Sequence, residues 1–216
     1  MLPIAPRYLT RLTRLFVALP TTLPFHTSGN WSIGDLLGRA NRISVSLMRV
    51  LITGGFGYVG GRLAGYLRSR GHQVTLASRA RVTAPAWSEQ FEVVTATWDD
   101  AGQLTKVCEA VDVVVHAAGM NASDSAADPV AALEFNGVAT ARLANAAKSA
   151  GVHRFIYLST AHVYASPLIG EISEDTRPNN MHPYATSHLA GENAVLAACD
   201  SGKLDATILR LSTAVG

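Results

Sequence analysis

Cysteine is scarce. Cys108 and Cys199 are the only two in 216 residues, they lie far apart, and neither sits in a cluster of ligating residues. A disulfide framework and a cysteine zinc site are thereby excluded, and a reducing, intracellular setting is expected. Charge is thin as well. The chain has 18 Lys and Arg against 16 Asp and Glu, a net charge of +2, too small an excess to suggest a nucleic-acid partner. The apolar stretch at residues 15–19 is too short to span a bilayer, so no membrane partner is expected either. His116, His153, His162 and His182 form no metal-ligand pattern, so no metal is expected. Solenoid repeats and low-complexity segments are also missing. What remains is a chain with 48% hydrophobic and 16% charged residues. That composition argues against disorder, and the length suits one α/β domain with a substantial core.

Residues 1–47 stand apart. They carry Arg7, Arg11, Arg14, Arg39 and Arg42, with Asp35 as the one acidic residue, and prolines interrupt any helical pattern. An arginine-rich, acid-poor leader suits an organellar transit peptide. It equally suits upstream sequence read through before Met48, which directly precedes a strand-like run. The second reading is preferred, with a cytoplasmic location, and the domain is expected to cover 48–216.

From Arg49 onward strand-like and helix-like segments alternate. Apolar strands are expected at 50–53, 74–77, 91–95, 111–116, 154–159 and 206–211. Helices are expected after the first strand and at 104–110, 129–150 and 183–199. The near-continuous apolar run at 111–116 suits a strand buried on both faces. Strict alternation predicts a Rossmann-type, doubly wound parallel sheet with helices on both faces.

Thr53-Gly54-Gly55-Phe56-Gly57-Tyr58-Val59-Gly60 joins the first strand to the first helix. Gly54 suits the tight turn, Gly57 a close approach to a pyrophosphate, and Gly60 close helix–sheet packing. The helix N-terminus then offers unpaired N–H groups to phosphate. At the end of the second strand, where an NAD-binding domain carries a carboxylate for the ribose 2′-hydroxyl, this chain has Ser78-Arg79. A guanidinium suits a 2′-phosphate, so NADP is favoured over NAD.

These residues, with five later segments in order and spacing, resemble the extended short-chain dehydrogenases/reductases, the NAD-dependent epimerase/dehydratase family. The resemblance covers about residues 48–216. Asp99 and Asp100 resemble the acidic pair whose first member meets the adenine. His116-Ala117-Ala118-Gly119 resembles the segment lining the cofactor. Asn136 resembles the asparagine of the fourth helix, and Ser159-Thr160-Ala161-His162-Val163-Tyr164 the Ser-Thr-x-x-Val-Tyr segment. Tyr184-Ala185-Thr186-Ser187-His188 stands where the family has Tyr-x-x-x-Lys. Segment 209–216 resembles the exit from the sixth strand, which implies that a substrate-binding part continues beyond it.

The resemblance implies hydride transfer between nicotinamide and a small-molecule substrate, a nucleotide sugar being one candidate, and a homodimer is a candidate assembly. Tyr184 would be the acid/base and Thr160 the hydroxyl bonding the reacting oxygen, with Ser159 a weaker candidate. His188 replaces the lysine that holds the nicotinamide ribose. It shares a helix face with Tyr184 but gives no permanent charge. A unit charge about 5 Å away is worth roughly 3 kcal/mol at an effective dielectric near 20. Two functions are therefore weighed: an epimerase or reductase, and a non-catalytic dinucleotide-binding sensor or scaffold. Dehydration is disfavoured, because Ala161 and His162 stand where the family's dehydratases carry two carboxylates.

Overall fold

The computed structural model describes residues 47–79, 85–200 and 202–212. The expectations for the leader, Leu47 apart, and for the end of segment 209–216 fall outside those residues. Strands β1 (Arg49–Thr53), β2 (Gln73–Ser78), β3 (Glu92–Thr95), β4 (Val113–His116), β5 (Arg154–Thr160) and β6 (Asp205–Leu211) form one sheet in the order β3-β2-β1-β4-β5-β6. Every pairing is parallel. The sheet is the doubly wound one that alternation predicted, and the central strands explain their own composition. Residues 50–53 of β1 and all of β4 are buried, as apolar runs covered by helices on both sides must be.

Among the described residues the α-helices are α1 (Tyr58–Ser69), α2 (Ala101–Cys108), α3 (Ala122–Ala127), α4 (Pro129–Ala132), α5 (Thr140–Ser149) and α6 (Pro183–Cys199). The chain builds β1, β2 and β3 outward, then returns to lay β4 on the other side of β1, with Val50 opposite Val113 and Thr53 opposite His116. Strand order reverses there. The carboxyl ends of β1 and β4 therefore splay their following loops apart, and ligands of open α/β sheets bind in that crevice. No helix among the described residues is long and apolar enough to cross a membrane.

Three expectations need correction. The helix expected at 129–150 is not uniform: α4 and α5 flank a π-helical segment, Leu133–Ala139. There the Asn136 carbonyl accepts the Thr140 hydroxyl at 2.7 Å, and the Tyr157 hydroxyl of β5 stands 3.4 Å from it. The helix expected at 104–110 starts earlier, at Ala101, because the Asp100 carboxylate caps it by accepting the Gln103 amide at 2.9 Å. The strand expected from Val111 begins at Val113. Helix α3, capped by Asn121, was not anticipated.

Candidate active site

The turn after β1 is shaped by close approach. Gly54 has φ +68°, and a Cβ there would stand 2.6 Å from the Ala118 nitrogen in the segment after β4. A Cβ on Gly60 would strike the Gly54 carbonyl oxygen. Both positions thus accept only hydrogen, and the β1 loop, the β4 loop and the start of α1 pack backbone to backbone. The Gly57 amide closes the turn on the Gly54 oxygen at 2.9 Å. Helix α1 has no side-chain cap and no acidic residue in its first turn. The positive end of the helix dipole there suits an anion. The cradle fits a pyrophosphate. Around it, Phe56 packs edge-on against Trp87 with ring centroids 6.1 Å apart. The side chain of Tyr58 is exposed, with the Arg62 guanidinium 4.6 Å from its ring centroid. Gly55 abuts Leu76, and Val59 faces the neighbouring cleft.

Two clefts open at this edge of the sheet and share Gly119, Met120 and Asn121. The first, of about 700 Å³, is lined by Arg79, Trp98, Asp99, Phe135 and Arg142 among others. Arg79 lies with its guanidinium 4.8 Å from the centroid of the Phe135 ring, an arrangement that leaves a planar cation facing the cleft. Ser78, half-buried at the end of β2, does not line it. Of the acidic pair, Asp99 lines this cleft, whereas the Asp100 carboxylate is committed to capping α2. Arg142 is a second cation here that sequence reasoning did not single out.

The second cleft, of about 430 Å³, brings together Ala117, Thr160, His162, Tyr184 and His188, with Ser159 beside them. Two elements deliver them. Strand β5 ends at Thr160, whose Oγ1 accepts the His162 amide at 3.1 Å. Helix α6 opens with Pro183 at a position that needs no N–H, and His182 Nδ1 accepts the Tyr184 amide at 3.2 Å. Tyr184 and His188, four residues apart, then meet on one face with ring centroids 4.7 Å apart. Ala118 lies against Gly54 in the wall between the loops.

Asn136 is 1% exposed and does not line either cleft. Its Oδ1 accepts the Met120 amide at 2.7 Å and its Nδ2 donates to Ser187 Oγ at 3.0 Å. It ties the β4 loop to α6.

Behind the cleft stand three aromatic rings, His116, Tyr157 and His188, stacked at 5.4 and 5.9 Å. His116 is 1% exposed, and its protonation follows from its neighbours. The Thr140 hydroxyl donates to Asn136, so it accepts from His116 Nε2–H at 2.9 Å. His116 Nδ1 then accepts the Thr53 hydroxyl at 2.6 Å. Burial, with His188 nearby, pushes its pKa down to about 3. Burial pushes His188, 4% exposed, down to about 4. At neutral pH both imidazoles are uncharged.

Sequence reasoning missed a polar network under the same cleft. Glu192, 2% exposed, accepts Ser159 Oγ at 2.5 Å and is held by the Arg210 guanidinium of β6 at 2.6 Å. Arg210 also donates to the Tyr164 hydroxyl at 2.6 Å. The signal was available: Tyr184, His188 and Glu192 recur every fourth residue, so all three share one helix face. Ser159, considered as a catalytic hydroxyl, has its own hydroxyl donated to this network.

A glycine cradle at the switch point of a doubly wound parallel sheet, with two clefts meeting beside it, defines a dinucleotide-binding α/β domain. The model of the NAD dependent epimerase/dehydratase family matches residues 50–216, and the chain belongs to that family. It is 36% identical over 154 residues to a UDP-glucose 4-epimerase of Mycolicibacterium smegmatis, covering 67% of this chain and 49% of that protein. A short-chain dehydrogenase/reductase superfamily protein from Agrobacterium tumefaciens, solved with bound NAD, matches with a TM-score of 0.65 and 30% identity over 75% of this chain and 48% of the other. MoeE5, solved with UDP-glucuronic acid and NAD, matches with a TM-score of 0.65 and 29% identity over 75% and 54%. The chain spans about half the length of these relatives.

Proposed function

We propose that this chain serves NAD(P)-dependent hydride transfer on a nucleotide sugar or a related carbonyl or hydroxyl compound, as an epimerase or a reductase. The observation that carries this reading is the meeting of Thr160, Tyr184 and His188 on one cleft whose wall also includes Val59 of the glycine-turn helix. A bound nicotinamide would supply the hydride donor or acceptor. The relatives' names and bound ligands support a nucleotide sugar as substrate.

The chain's own residues divide the remaining work. The α1 N-terminus and the Gly54 turn bind the pyrophosphate. Tyr184 holds and moves a proton at its phenol oxygen. Thr160 Oγ1 accepts the His162 amide, so its hydroxyl proton is left to donate to the substrate oxygen. His188, neutral and buried, orients a ribose hydroxyl by a hydrogen bond. NADP is preferred because Arg79 lines the first cleft and no acid ends β2. The exposed Val130, Leu133, Val138 and Leu196 are the surface on which a homodimer would form.

The second reading, a dinucleotide-binding protein without catalysis, draws on the neutral state of His188, which supplies no fixed charge beside Tyr184. One experiment separates the two. The chain is titrated with NADPH and NADH by nicotinamide fluorescence, then tested for turnover with nucleotide-sugar substrates. Binding with turnover that Tyr184→Phe abolishes supports the enzyme. Binding without turnover supports the second reading, and failure to bind either dinucleotide refutes both.

A further inference from the structure

We infer that Tyr157 is a positioning residue: its hydroxyl locks His188 in the Nε2–H tautomer, so that a neutral imidazole presents one fixed N–H donor to the cleft. The inference rests on the dinucleotide reading only for what that donor meets. Tyr157 is fully buried on β5, and its hydroxyl stands 2.9 Å from His188 Nδ1 with the rings inclined by 25°. Burial holds the phenol well above its ordinary range, so it keeps its single proton and must donate it. Among the described residues two acceptors stand within 3.5 Å, and the Thr140 hydroxyl beside them is taken up by His116 and Asn136. The Asn136 carbonyl is at 3.4 Å and already takes the Thr140 hydroxyl at 2.7 Å. His188 Nδ1 is nearer and has no other partner among the described residues. The proton therefore goes to Nδ1, which leaves Nε2 as the protonated nitrogen. That nitrogen lies by the cleft wall, where a Cβ added to Gly119 would be 3.5 Å away.

The room for this contact is built in. A Cβ on Gly191 would strike the Asn136 carbonyl oxygen and stand 2.7 Å from the Tyr157 hydroxyl. A helix with any side chain there would push the phenol off its acceptor. The π-helical segment turns the Asn136 carbonyl to the same point. Ring stacking with His116 on the far side, at 19°, keeps the phenol in plane with its acceptor. An ammonium needs no such device, because all its protons are equivalent. A neutral imidazole does, since the wrong tautomer turns the same nitrogen from donor to acceptor.

The test uses the full chain with 15N-labelled histidine and reads ring tautomers by long-range 1H–15N correlation at neutral pH. The His188 signals are assigned by their loss in His188→Gln. The expected pattern is Nε2–H in the wild type and a mixture of tautomers in Tyr157→Phe. NADPH affinity is expected to fall about five- to tenfold in Tyr157→Phe. In the His188→Gln background, where the amide donor needs no partner at Nδ1, Tyr157→Phe should leave affinity unchanged. A wild type with Nδ1–H overturns the inference whatever it binds. So does a Tyr157→Phe loss of equal size in both backgrounds, which would mark Tyr157 as structural. A wild type with Nε2–H that binds neither NADPH nor NADH upholds the lock and refutes the dinucleotide reading separately.

Discussion

Acid should unfold this domain earlier than its carboxylates alone would dictate, because two imidazoles are buried without charge. Burial lowers His188 to about 4 and His116 to about 3, against an ordinary value of 6.5 for each. The sign follows from linkage. Both folded-state values lie below the unfolded one, so the unfolded chain binds more protons as pH falls. The stability tied to their neutral forms is complete above pH 6.5 and is lost from there down to about pH 4 for His188 and about pH 3 for His116. One pKa unit is about 1.4 kcal/mol, so His188 alone is worth roughly 3 kcal/mol. Within the window each imidazole contributes a slope of about 1.4 kcal/mol per pH unit. That is a large share of a typical domain stability of about 5–15 kcal/mol. Urea unfolding of the full chain at pH 7, 6, 5 and 4.5 measures it. The wild-type slope should exceed that of His188→Gln by about 1.4 kcal/mol per pH unit between 6 and 4.5. Comparing the two chains removes the carboxylates, including Asp112, which the hydrogen bond from Arg49 holds low. Equal slopes, or a His188 resonance titrating above pH 6, would refute the claim that burial keeps this ring neutral.

Other outcomes test the site. His188→Lys should raise a hydride-transfer rate by about two orders of magnitude near neutral pH, since a fixed charge about 5 Å away is worth roughly 3 kcal/mol; single-turnover NADPH oxidation measures it, and an unchanged rate would uncouple residue 188 from Tyr184. Arg79→Ala should weaken NADPH about tenfold while leaving NADH nearly unchanged, read by fluorescence titration. Gly60→Ala should lower stability by about 1–3 kcal/mol in a thermal melt, because its methyl meets the Gly54 carbonyl. Arg210→Ala should cost about 3–5 kcal/mol by leaving Glu192 buried without its cation, while Glu192→Met with Arg210→Met should cost much less; equal losses would show that the network's value is packing alone.

Local chemistry made much of this fold legible before any coordinate. A parallel sheet buried on both faces demands apolar runs such as 111–116, and helices between them demand apolar residues at helical spacing. Gly54 and Gly60 announce a turn where backbones touch, because only hydrogen fits. Tyr184 and His188 share a face by spacing alone, and Glu192 could have been added by the same count. The cap at Asp100 could also have been read, since Asp is a favoured residue just before a helix.

What the chain order could not tell depends on partners distant in sequence. The π-helical segment within 129–150 packs its Asn136 carbonyl beside a hydroxyl from β5, 21 residues on. Asn136 turns inward because Met120 and Ser187 meet it there. The charge of His188 is the clearest case. Its residue type allows either state at neutral pH, and its spacing from Tyr184 is the same in both. Burial among neighbours that include Tyr157 and Tyr184 removes the water that a proton's charge would need. Sequence by itself brought Arg79, Asp99, Thr160, Tyr184 and His188 to the clefts, since strand ends and helix faces follow from periodicity. Tertiary structure decided their protonation and direction, since desolvation and hydrogen-bond partners come from segments that meet only after folding.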